Sequence, residues 1–238
     1  MKNYYFRKAV AILMALLTTV TMSACSRINN ETASDVCKAL EEKYGEAFEV
    51  THIGNRLNTS TATTYVHPVN NSEIVFTATI DHNGNIVDDY ASSIVMNTIE
   101  KCIEDSFEKN GVVCAANAVV TKDDITETER NIDPNSFTSK NGVDTILVRV
   151  IIDHQDETAA SIITSLEQAS ARYDFSLVVS IYLLNHDAFI SCEEDFRTFP
   201  SVGATQIESY SPLVFTKTIL SHGNSSISSA ELATLMEG

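Results

Sequence analysis

The stretch Thr145–Leu184, TILVRVIIDHQDETAASIITSLEQASARYDFSLVVSIYLL, decides the fold. Its first eight residues carry a single charge, Arg149, and are rich in β-branched side chains, which favours a strand. Asp153–Glu157 interrupts that run and can open a helix. On a helix, Ala160, Ile163, Leu166 and Ala169 or Ser170 fall on one side. Phe175–Leu184 then returns as a second strand, apolar enough to be buried. Downstream, Asp187–Phe199 reads as a helix with Phe189, Cys192 and Phe196 facing inward, stopped by Pro200. Ala204–Tyr210 and Leu213–Leu220 read as strands, the second central. Ser221–Ser229 is polar, and Ala230–Met236 can form a last helical turn.

Upstream, the same signals recur in a different order. Ser34 can cap a helix opening at Asp35, in which Val36, Cys37, Leu40 and Tyr44 recur at helical spacing before Gly45. Phe48–Ile53, Thr64–Val69, Glu73–Ile80 and Ile86–Tyr90 read as strands. Asn83-Gly84 between the last two is a hairpin signal. Residues 91–110 form the clearest helix, with Val95, Ile99, Cys102, Ile103 and Ser106 on one face, and Val112–Val120 follows as a strand. Helices interrupt runs of strands without a regular βαβ rhythm. The expected fold is therefore α+β, with helices packed on a largely antiparallel sheet and two halves of similar size. The expected organisation is a leader at 1–24, a tether at 25–33, a first half at 34–121, a polar linker or loop at 122–142, a second half at 143–221 and a loose tail at 222–238.

The first 25 residues set the compartment. Lys2, Arg7 and Lys8 form a basic start, Ala9–Val20 is mostly apolar, and Ser23 and Ala24 are small, which is the order of an export signal. The run is shorter than the roughly 20 apolar residues a spanning helix needs, and Thr18, Thr19 and Thr21 dilute it. Met22-Ser23-Ala24-Cys25 resembles the lipobox of bacterial lipoproteins. That resemblance implies a diacylglyceryl group on the Cys25 sulfur and cleavage before it. The mature chain would then be lipid-anchored on the extracytoplasmic face of the cell membrane. An ordinary secretory signal and an uncleaved anchor are the alternatives. Within Val36–Tyr90, Lys43-Tyr44-Gly45-Glu46, Phe48-Glu49-Val50, Tyr65 with Pro68, and Gly84 with Asp88-Asp89-Tyr90 resemble a module in uncharacterised lipoproteins of Gram-positive anaerobes.

Composition narrows the chemistry. With 44% hydrophobic and 20% charged residues, the chain can bury a core of ordinary size. The formal charge is −16, and loss of the leader's three cations makes the mature part more acidic still. Such a surface repels phosphate backbones, so no nucleic-acid partner is expected. Cys37, Cys102, Cys114 and Cys192 remain after Cys25. Their spacings are wide, no C-x-x-C occurs, and each sits in an apolar or helical pattern, so reduced, packed thiols are expected. The protein has no tryptophan, hence no obvious aromatic platform for sugars.

Asp81-x-Asn83-Gly84 superficially matches a calcium loop, but alignment on Gly84 puts Thr79 and Tyr90 where the first and last ligands belong. Asp88-Asp89 is a carboxylate pair whose members are expected on opposite strand faces, one in solvent and the other capping the next helix. His52, His67, His82, His154, His186 and His222 are scattered, with no pair at helical metal spacing. Asp153-His154-Gln155-Asp156-Glu157 is dense in possible ligands, yet acidic residues also favour a helix N-terminus. No G-x-S-x-G, S-x-x-K set, P-loop or dinucleotide fingerprint occurs. The expectation is thus a non-catalytic envelope binding or interaction module, anchored through Cys25, with no catalytic residue, cofactor or metal and with an envelope protein or ligand as partner. Two alternatives stand beside it. One is an exported hydrolase assembling two or more of His52, His154, Asp88 and Cys114 in three dimensions. The other is a solute-capture lipoprotein.

Overall fold

A computed structural model describes residues 30–54, 60–122, 125, 129–155 and 157–237. The leader, Cys25 and most of the tether lie outside the described residues. The chain forms two compact units, residues 1–70 with 78–88, and residues 71–77 with 89–238. It is an α+β fold with a four-stranded and a five-stranded sheet, both mostly antiparallel.

In the first unit, helix α1 covers residues 30–44. It starts before Ser34 because its buried stripe reaches back one turn: Thr32, Val36, Leu40 and Tyr44 recur every four residues and are all buried. Four strands follow, β1 (Phe48–Ile53), β2 (Thr61–Pro68), β3 (Phe76–Asp81) and β4 (Ile86–Asp88), in that spatial order. Strict alternation buries Ala62, Thr64, Val66 and Pro68 on one face of β2. The β3–β4 turn is closed as the sequence predicts. Gly84 takes φ 83°, and the Asp81 carboxylate accepts from Asn83 N, Asn85 N and Asn85 Nδ2 at 2.8, 2.9 and 2.8 Å. Those bonds explain the calcium-like spelling of the turn.

The second unit is built around a sheet in the order β5 (Cys114–Val119), β6 (Thr145–Asp153), β7 (Ser176–Leu184), β8 (Val214–Ser221), β9 (Asn224–Ser225). β6 and β7 are parallel, and α4 (Ala159–Ser170) is their crossover; the other pairs are antiparallel. One face is sealed by α2 (Tyr90–Lys109), α3 (Pro134–Asn141), α4 and α7 (Ser229–Met236), whose apolar sides meet Ile146, Val148, Val150, Ile152, Leu177, Val179, Ile181 and Leu183. The opposite face carries α5 (His186–Thr198) and α6 (Ala204–Glu208), which cover Ala115, Ile151, Tyr182 and Leu184. Cys37, Cys102, Cys114 and Cys192 are free thiols.

Several boundaries differ from expectation. α2 and β5 pack with the second unit, so the division falls at residues 88/89 rather than 121/122. Part of the 122–142 segment is α3, with Asp133 accepting from Asn135 N and Ser136 N, Pro134 in the first turn and Gly142 in the left-handed region after its end. Ala204–Tyr210 contains a helix because Gln206 N and Ile207 N both return to Gly203 O. The 222–238 tail is not loose: β9 extends the sheet, and α7 opens with a Ser228/Glu231 capping box and buries Leu232 completely.

Candidate functional site at the strand ends

The parallel β6–β7 pair places Asp153 opposite Leu184, so both strands end together. α4 and α5 start beside those ends, capped by Thr158, which accepts from Ser161 N, and by Asn185, which accepts from Ala188 N at 3.0 Å. In sheets with parallel strands, ligands bind outside the carboxyl ends of those strands, where helix N-termini also point.

Five polar residues gather there. Asp153 is the last residue of β6 and is 4% exposed. Its Oδ2 accepts from His186 Nδ1 at 2.8 Å and from Gln155 Nε2. Its Oδ1 is buried with no hydrogen-bond partner among the described residues. His186, in the first turn of α5, is exposed, and the hydrogen bond to Asp153 raises its pKa above the usual imidazole value. His154 pairs through Nδ1 with Glu157 Oε1, while Glu157 Oε2 accepts from Gln155 N at 2.8 Å. The Glu157 side chain is almost fully buried. Asp156 lies outside the described residues.

The arrangement is two imidazole–carboxylate pairs on adjoining loop and helix starts. With its Nδ1–H given to Asp153, a neutral His186 presents Nε2 as an acceptor; when protonated it presents a charged donor. Asp153 Oδ1 is a buried acceptor, and such groups are as a rule satisfied, so it is suited to an N–H or O–H from a ligand. No set of three or more His, Cys, Asp or Glu side chains among the described residues is placed to hold a metal ion.

The other residues singled out in the sequence have local employment. In the first unit, His52 stacks on Tyr65 with centroids 5.1 Å apart. Asp88 accepts from Tyr44 Oη and Lys43 Nζ, each at 2.7 Å, which fastens the end of α1 to the end of β4. Its side chain is 1% exposed. Asp89 occupies the N-cap position of α2 but makes no cap bond; its Oδ1 accepts from Thr77 N at 2.7 Å. Of the carboxylate pair, one member, Asp89, is exposed as expected, but the other does not cap α2: Asp88 is turned inward and the helix has no side-chain cap. In the second unit, Cys114 packs against the core, and burial beside Glu104 and Glu193 pushes its thiol well above the ordinary range, the reverse of what a nucleophile needs. Each of His52, Asp88, His154 and Cys114 thus has neighbours of its own within its unit.

His186 and Asp153 as partners were not legible in the sequence. They are separated by a whole helix and strand, and only the parallel register makes them neighbours. A usable signal existed in the triplet Asn185-His186-Asp187, which follows an apolar strand without a gap. A groove of about 540 Å³ also lies in the first unit, lined by residues including Asp35, Lys38, Glu42, Asp81 and His82. Asp81 is already committed to its turn there.

No protein-family profile matches the chain, and no curated protein matches it. Among solved structures, the chain is similar in fold to a DUF5037 family protein from Ruminococcus gnavus ATCC 29149, a Gram-positive anaerobe. The TM-score is 0.68 at 18% identity, over 87% of this chain and 99% of that one. At that identity the likeness shows the fold alone.

Proposed function

We propose that the chain is a lipid-anchored, extracytoplasmic binding module, non-catalytic, which holds an uncharged or cationic ligand by accepting the ligand's N–H or O–H donors at the ends of β6 and β7. The observation that carries the binding half of this reading is the buried, unpartnered Oδ1 of Asp153 beside His186. The anchor rests on Met22-Ser23-Ala24-Cys25 following a basic start and an apolar run. Two or more acyl chains on one residue hold a soluble domain on a membrane, where a single chain is marginal. No helix among the described residues is long and apolar enough to cross a membrane, so attachment by lipid is compatible with the rest of the chain.

Two measurements test the halves separately. Cys25→Ala is expected to move the protein from the membrane fraction to the medium or periplasm, and an unchanged membrane fraction removes the anchor. Thermal-shift screening of wild type against cell-wall oligosaccharides and short peptides is expected to give ligands whose stabilisation disappears in Asp153→Asn. Ligands that stabilise both proteins equally remove the strand-end site.

The Asp153–His186 pair favours one other reading, an exported hydrolase in which His186 Nε2 takes a proton from water. Turnover of an ester or glycoside panel by wild type, abolished in His186→Ala, would establish it in place of the binding module.

A further inference from the structure

Among the described residues of the second unit, α5 and α6 cover one end of their face of the sheet, and beside them Val202 N reaches Asn117 Oδ1 at 3.1 Å. β6 and β7 share one burial pattern: their last four residues are buried on both faces, and their first five are buried on alternate positions. Register resolves the uncovered part into rows. Ala115, Ile151, Tyr182 and Phe215 are cross-strand neighbours in the covered end. The next row is Asn117, Arg149, Ser180 and Lys217, and the one after it is Val119, Leu147, Val178 and Ile219. The last is apolar across all four strands, half-buried at three positions and 52% exposed at Ile219.

The polar row beside it is basic, in a chain with 32 carboxylates and 16 Lys and Arg. Among the described residues, neither Arg149 nor Lys217 makes a hydrogen bond or ion pair; Lys217 Nζ lies 5.6 Å from the Phe215 ring centroid. Between these cations in the next, covered row sits Tyr182, 0% exposed and stacked on Phe215 at 4.8 Å, which closes that end of the open face. Two cations beside an apolar row form a complement for carboxylates flanked by apolar side chains.

We propose that this open half of the sheet face docks an acidic amphipathic segment of a partner protein, its carboxylates on Arg149 and Lys217 and its apolar side chains on the Val119–Ile219 row. The rest of the molecule repels such a segment, so any affinity for it must come from this local patch. That makes the test stringent.

The probes are three labelled 14-residue peptides of alternating leucine with glutamate, glutamine or lysine, and the protein is the full chain without its leader. In fluorescence anisotropy the glutamate peptide is expected to bind, weaken as salt rises, and lose at least ten-fold in affinity to an Arg149→Gln/Lys217→Gln double variant. Neither residue has a partner to lose, so the variant should fold. Equal binding of the glutamate and lysine peptides overturns the proposal, as does a double variant that binds like wild type. Self-association of the free chain that the double variant abolishes, with no glutamate-peptide binding, also overturns it and assigns the face to a second copy.

Discussion

Glu100 and Glu104 show how much a single side chain can decide. β5 is an edge strand, and its Ala118 N and Ala116 N donate to Glu100 and Glu104 at 2.7 and 3.0 Å. Four residues of helix rise about 6 Å and two residues of strand about 6.6 Å, so an i, i+4 pair on an adjacent helix matches alternate strand amides. The carboxylates blunt an edge open to further strand pairing. Burial raises both acids, Glu100 to about 7. Its folded-state value lies above the ordinary 4.5, so the folded chain holds this proton more tightly than the unfolded one. The associated stability is present below pH 4.5 and is lost as pH rises to about 7. Urea denaturation is expected to show wild type losing up to about 3 kcal/mol across that window, with Glu100→Gln flatter there. A steeper slope in the variant would contradict the assignment. His186 shifts in the cationic sense: bonded to Asp153, it should titrate above 6.5 by NMR. Asp153→Asn is expected to bring it back toward 6.5, and a wild-type value at or below that number breaks the pair.

At the level of elements, pattern was a sound guide wherever one face is buried. Residues 91–110 read as a helix and α2 is Tyr90–Lys109; TILVRVII read as a strand and β6 is Thr145–Asp153. Pattern failed in short elements. α3 has a weak apolar stripe, and its signature is its ends, Asp133-Pro134 and Gly142, rather than its middle. α7 has one fully buried residue, Leu232, against α4 and the sheet. Leu232→Ala is therefore expected to cost about 2–4 kcal/mol, read from the denaturant midpoint. An unchanged midpoint would mean that α7 does not hold the core closed in solution.

For the whole molecule, charge is the dominant long-range term. A formal charge of −16 on 238 residues makes the folded chain repel itself. Raising sodium chloride from about 0.01 to 0.15 M shortens the screening length from roughly 30 to 8 Å. The melting temperature should therefore rise over that range, and a fall would show that attractive pairs such as Lys43–Asp88 and Lys101–Glu73 outweigh the repulsion. The sequence by itself determined the long elements, the α+β class, the β3–β4 hairpin and the acidic surface, because those follow from local periodicity, turn chemistry and composition. It also carries the Cys25 motif, which lies outside the described residues. Tertiary structure alone decided that α2 and β5 join the second unit, that Asp153 meets His186, and that Arg149 and Lys217 share a row. Each of those depends on which strands pair and in what register, a choice set by burial summed over the whole sheet that no short window of residues contains.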